Sequence, residues 1–97
     1  MRVLWTEAAL GHLDAIFAYI DQSSPVYALR VVDRITQRSK QIAAFPYSGR
    51  KVPEFEVEQI REVFFSPYRI IYQIKAEQIE VLAVIHGAMN LASEKEK

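Results

Sequence analysis

The hydrophobic period of this chain switches from 3.6 residues before Phe45 to 2 residues after Pro53, and that switch limits the fold to helices first and strands afterwards. A short β-prone run, Arg2 to Trp5, precedes the helices. Thr6 then offers a side-chain oxygen as N-cap, and Glu7 suits the positive end of the helix dipole. Ala9, Leu13, Ile16 and Ile20, flanked by Leu10 and Phe17, form one apolar stripe that predicts a first helix ending at Asp21 to Ser24. Ser24-Pro25 is a start signal, because proline at the first helical position gives up no hydrogen bond. A second helix is predicted from Pro25 to about Ala44, with Ala28, Val31, Val32, Ile35, Ile42 and Ala43 buried and Arg30, Arg34 and Arg38 stacked opposite at i, i+4 spacing. The short connection makes the two helices an antiparallel hairpin.

Phe45 to Pro53 reads as a loop, and the strands follow it. In REVFFSPYRIIY, Arg61 to Tyr72, a turn at Ser66-Pro67 sets Phe65 against Tyr68, Phe64 against Arg69, Val63 against Ile70 and Arg61 against Tyr72. A second turn near Ala76-Glu77 would set Ile74 against Ile79, Tyr72 against Val81, Ile70 against Ala83 and Arg69 against Val84. Alternation then collects Val63, Phe65, Tyr68, Ile70, Tyr72, Ile74, Ile79, Val81, Ala83 and Ile85 on one face as a floor for the helices. The other face carries Glu62, Phe64, Arg69, Ile71, Gln73, Leu82, Val84 and His86, a mixture of apolar and charged groups. Phe64, Ile71, Leu82 and Val84 in water would form an interaction patch, so a partner chain is the expected cover. The polar run Ala92 to Lys97 reads as a tail beyond a single domain spanning residues 1–91.

A chain of 97 residues holds one layered α+β unit and is too short for two cores. No apolar run approaches the ~20 residues of a membrane helix, and Met1 leads straight into a strand, so a soluble cytoplasmic protein without membrane association is expected. The absence of cysteine excludes disulfides and thiolate chemistry, and the two separated histidines, His12 and His86, give no metal spacing; no cofactor is implied. Net charge is zero, which weighs against broad neutralisation of nucleic-acid phosphates. The zero is a sum of separated signs: Arg30, Arg34, Arg38, Lys40, Arg50 and Lys51 stand against Asp33 alone, whereas Glu54, Glu56, Glu58 and Glu62 stand against Arg61.

Candidate chemistry centres on Arg69, with Glu62 diagonal to it and His86 one strand further along. A guanidinium there can hold phosphate or carboxylate bidentately, and a histidine beside it can titrate near neutrality. Equally, Glu62 and Arg69 can be a plain cross-strand ion pair. Arg61 opposite Tyr72 reads as packing with a rim charge, and the arginine stripe of the second helix as a solvated face that invites an anionic partner. No glycine-rich phosphate loop, nucleophile elbow or zinc-protease motif is present. An active site would have to use Glu54 as base, Arg69 as phosphate-holding cation and His86 as acid.

In order, WTEAALGHLDAIFAYI, SPVYALRVVDRI, FPYSGRKVPE, IREVFFSPYRIIYQI and IEVLAVIHG resemble the ParE/RelE superfamily of bacterial toxins from Trp5 to about Leu91, in the manner of plasmid-stabilisation proteins. The resemblance implies a β-α-α-β-β-β fold, α+β in class, with a helix hairpin packed on one face of a small curved antiparallel sheet. It also implies neutralisation by an antitoxin of ParD or RelB type that covers Phe64, Ile71, Leu82 and Val84, with Arg61, Glu62 and the Arg30, Arg34, Arg38 stripe as further candidates for antitoxin or target binding. RelE-like members cut mRNA on the ribosome, and their glutamate-type catalytic set maps onto Glu54, Arg69 and His86. ParE-like members poison DNA gyrase without being enzymes, and the Arg61-Glu62 hairpin opening and the His86-Gly87 strand end resemble that branch more. A third reading is a toxin fold that keeps antitoxin binding alone.

Overall fold

The computed structural model describes residues 1–87. Its elements run β1 (Arg2–Trp5), α1 (Glu7–Asp21), α2 (Pro25–Gln41), a 3-10 turn (Pro46–Ser48), β2 (Arg50–Lys51), β3 (Ile60–Phe65), β4 (Tyr68–Ile74) and β5 (Gln78–His86). Both helix starts follow the sequence: Ala9 N–H donates to Thr6 Oγ1 at 3.1 Å and Tyr27 N–H to Ser24 Oγ at 3.1 Å. Helix α2 stops at Gln41, short of Ala44, and its buried row gains Ser39, whose hydroxyl donates to Thr36 O at 2.7 Å. The sheet order is β1-β5-β4-β3-β2. Strand β1 runs parallel to β5, so the sheet is mixed rather than wholly antiparallel, and the two-residue β2 lies in a stretch predicted as loop. The predicted domain end at Leu91 and the tail Ala92 to Lys97 lie outside the described residues.

The β3–β4 register is the one predicted, around a cis Ser66-Pro67 peptide. The β4–β5 register holds from Ile74↔Ile79 to Tyr72↔Val81 and then slips, with Ile71 opposite Ala83, Ile70 opposite Val84 and Arg69 opposite Ile85. Leu82 is the extra residue of a β-bulge, and every side chain beyond it changes face. Val84 is therefore not on the mixed face: it joins Val63, Ile70, Tyr72, Ile79 and Val81 under Val31, Ile35 and Ile42 in the helix-side core. Ala83 and Ile85 move the other way and pack with Ile71.

No partner is needed to cover that second face. Val52 from the connection between β2 and β3 is fully buried on Ile71, Ala83 and Ile85, with Phe55 and Ile60 packed around them. The connection is compact, with Phe55 and Glu56 N–H both donating to Val52 O at 3.1 Å and Ile74 N–H donating to Gln59 O at 2.8 Å. Glu62, Ile71 and Val84, expected to meet a partner, are interior at 1%, 1% and 3% exposure; Leu82 is half-buried at the bulge, and Phe64 stays 43% exposed. Burying a Val or Ile side chain is worth about 1.5–3 kcal/mol, so this second small core stabilises the chain's own cover.

Tyr72 anchors the start of that cover. Its buried hydroxyl donates to Pro46 O at 2.5 Å and accepts from Gly49 N–H at 3.2 Å. A Cβ on Gly49 would sit 2.6 Å from Glu62 O and collide with the Tyr72 hydroxyl, so close approach requires glycine here. Burial raises the Tyr72 phenol above its ordinary value of 10.0, with the Gly49 hydrogen bond and Arg61 acting the opposite way. A raised folded-state value adds stability below the unfolded value and loses it as pH rises through the folded one. Unfolding midpoints from about pH 8 to about pH 11 should thus fall steeply above 10, and Tyr72→Phe should lower the plateau by about 1–3 kcal/mol while flattening the alkaline decline. An unchanged alkaline slope in Tyr72→Phe would remove this assignment.

Candidate functional site

Four charged side chains from four segments form an alternating chain on the sheet face opposite the helices. Arg69 of β4 donates from Nη1 and Nη2 to the two carboxylate oxygens of Glu54, each at 2.9 Å, and from Nε to Glu62 Oε1 at 2.6 Å. Glu62 uses its second oxygen to accept from Arg50 Nε at 2.6 Å. The pairing of Arg50 with Glu62 across β2 and β3 aligns that contact, and the alternation of β3 puts Glu62 and Phe64 on the face of Arg69. The turn after Val52 brings Glu54 in from the side.

Burial makes these contacts consequential. The Arg69 side chain is 6% exposed, that of Glu62 is 0% and that of Glu54 12%. Arg69 is held above the ordinary arginine value chiefly by its hydrogen bonds to Glu54, against the opposing effect of burial and with reinforcement from Glu62. Two cations and two anions cancel, and among the described residues no buried side-chain nitrogen or oxygen lacks a partner. The guanidinium of Arg50 lies 5.1 Å from the Phe64 ring centroid, at the exposed end of the chain.

His86 is elsewhere. The bulge puts it with Tyr68 on the helix side, where the two rings meet edge-on at 6.2 Å. Together with His12, Ala15, Ile16, Tyr19 and Val84 they line an open groove of about 410 Å³. His12 is structural: its Nδ1 accepts the Val84 N–H at 3.2 Å where β1 no longer covers the edge of β5. The structure thus brings Glu54 and Arg69 together and sets His86 on the other face of the sheet.

Arg61 is also engaged, donating to Glu58 O at 2.8 Å, Glu58 Oε1 at 2.5 Å and Gly49 O at 3.1 Å, with its guanidinium 5.1 Å from the Tyr47 ring. Arg30 and Arg34 are exposed and Arg38 is half-buried. Arg50 was visible in the sequence only as one cation of a basic stretch. Its link to Glu62 depends on a two-residue strand that no periodicity can reveal. Among the described residues no group of three or more His, Asp or Glu is placed to hold a metal, and no helix is long and apolar enough to cross a membrane.

Removing one member of a buried ion network costs about 3–5 kcal/mol, whereas replacing the network with apolar groups of like volume is often neutral. Arg69→Ala should therefore lower stability by that amount in urea, leaving Glu54 and Glu62 short of a cation. The combined Glu54→Gln, Glu62→Leu, Arg69→Met variant should be more stable than Arg69→Ala alone. If the three changes simply add, the chain of charges is not one unit.

With the geometry in view, comparisons place the chain among known proteins. Residues 3–91 match the family model described as ParE toxin of type II toxin-antitoxin system, parDE. Y4kP of Sinorhizobium fredii is 39% identical over 88 residues, spanning 89% of this chain and 88% of that protein. Toxin RelE2 of Caulobacter vibrioides is 33% identical over 88 residues, spanning 90% and 96%. Among solved structures, a chain of the chromosomal ParDE system from P. aeruginosa superposes with a TM-score of 0.74 at 27% identity, covering 89% of this chain and 95% of that one. The extent of the family match leaves one assignment: the chain belongs to the ParE toxin family of type II toxin–antitoxin systems.

Proposed function

We propose that this toxin acts by binding DNA gyrase and inhibiting it, cuts no nucleic acid itself, and is neutralised by a cognate ParD-like antitoxin. The observation that carries the non-catalytic reading is the commitment of the candidate catalytic groups. General acid–base cleavage of a phosphodiester needs a base and an acid on either side of one reacting phosphate. Here both Glu54 oxygens accept from Arg69, Arg69 itself is buried, and His86 lies across the sheet. The family match to a parDE toxin supports the same reading.

The antitoxin proposal takes a changed location from this geometry. With the second sheet face covered by Val52 and Phe55, the large apolar side chains left in water on the helix hairpin are Leu10, Tyr19, Val26, Tyr27 and Leu29. An apolar cover for these groups is the contact the antitoxin would supply. Phe64 and Leu82 remain as peripheral candidates, and Arg61 is a rim residue.

Ribosome-dependent mRNA cleavage is the second reading, favoured by the 33% identity to a toxin named RelE2. The purified chain is expected to inhibit gyrase supercoiling and to leave ribosome-bound mRNA intact. Codon-phased cuts in a translation mixture, abolished by His86→Ala, would overturn the gyrase proposal. Normal growth on expression without antitoxin would instead favour a fold that retains antitoxin binding alone.

A further inference from the structure

Among the described residues the cations of α2 enter no ion pair. Arg30, Arg34, Arg38 and Lys40 share that helix with one acid, Asp33, which accepts from Gln37 Nε2 at 3.0 Å. Among the described residues none of the four cations has a carboxylate within ion-pair distance, in contrast to Arg50, Lys51, Arg61, Arg69 and Lys75. Arg38 instead reaches two neutral acceptors, Phe64 O at 3.4 Å and Gln41 Oε1 at 3.2 Å. Arg30, Arg34 and Arg38, at i, i+4 spacing along one side of the helix, make a local field that the zero net charge conceals.

Arg38 also joins two shallow grooves. One, of about 390 Å³, is lined by Asp33, Arg34, Gln37, Arg38, Gln41 and Phe65. The other, of about 240 Å³, lies at the edge of β3 and includes Ser48, Arg50 and Phe64. Arg38 is common to both, so a track runs from the helix across the seam to the sheet edge, with arginines at its start and Phe64 at its end. Along the helix the arginines repeat every four residues, a spacing of ~6 Å, so Arg30 to Arg38 spans ~12 Å. An exposed ring stands at the far end: Phe64, 43% exposed, with the Arg50 guanidinium 5.1 Å from the ring centroid.

We infer that this track, Arg30-Arg34-Arg38 leading to Phe64, binds a short stretch of single-stranded nucleic acid, with phosphates on the arginines and a base stacked at Phe64. A polyanionic strand uses both features, because cations follow its backbone and aromatic faces receive its bases. An acidic peptide would need the cations alone and would leave the ring unused. Duplex ends its bases inside the stack, out of reach of Phe64. The inference is independent of gyrase, since it concerns a surface on the toxin itself.

The test is fluorescence anisotropy of the full chain with labelled oligothymidine, oligouridine and a duplex control across a salt series. Binding of one or both single strands is expected, with log affinity falling against log salt at a slope of roughly −2 to −3, about 0.7 per phosphate held. The Arg34→Gln, Arg38→Gln double variant should flatten that slope by about 1.4. Phe64→Ala should weaken binding about fivefold or more while leaving the slope unchanged. Circular dichroism confirms that each variant is folded; Arg30→Gln, Arg34→Gln is a second charge variant confined to exposed side chains. Absence of single-strand binding at low salt overturns the inference. So does equal binding to duplex, or competition by polyglutamate as effective as unlabelled oligonucleotide with no effect of Phe64→Ala, the pattern of an acidic protein partner.

Discussion

A buried arginine needs its charge answered from more than one side, and Arg69 obtains those answers from Glu54 and Glu62, in two separate segments that precede it. The ion contacts and the apolar contacts do different jobs. Taking Arg69 out of water offsets much of what its carboxylates return, so the network adds little net stability. Val52, Ile71, Ala83 and Ile85 supply the favourable burial that closes the β2–β3 connection over the sheet. Directional hydrogen bonds then select one placement of that connection among the many that would bury a valine.

This division of labour also shapes the chemistry available. A carboxylate and a guanidinium side by side resemble the beginnings of a nuclease site, yet the same bidentate contact that places Glu54 occupies both of its oxygens. The histidine that would complete such a site is displaced by a single residue. Without the bulge at Leu82, His86 would share a face with Arg69; with it, His86 meets Tyr68 and the first helix. One extra residue in one strand thus decides which face of the sheet His86 occupies.

Much of the fold was legible in the sequence because each signal had a local cause. Thr6 and Ser24-Pro25 mark helix starts through hydrogen bonds within one turn, and the Arg61 to Tyr72 register follows from a two-residue connection. The bulge left no trace, because Val81, Leu82, Ala83, Val84 and Ile85 are all apolar and alternation cannot report a slip within such a run. The bidentate contact of Glu54 with Arg69 left no local signal for a related reason. Its position depends on a turn that includes Glu56 at a φ of 52°, an arrangement that neither periodicity nor composition encodes. The expectation of a bare sheet face failed with these two, since both errors concerned what lies over Ile71.

The pairing of β1 with β5 carries a consequence for synthesis. Arg2 to Trp5 leaves the ribosome well before its neighbour, Gln78 to Val81, since Arg2 and Gln78 are 76 residues apart. The hydroxyl of Thr6, which caps the first helix, also donates to Val81 O at 3.0 Å. Contacts that close so long a loop form late and slowly compared with those inside the helix hairpin. A growing chain can therefore assemble its helices early while its sheet stays unfinished, and β1 finds its place only after β5 has been made.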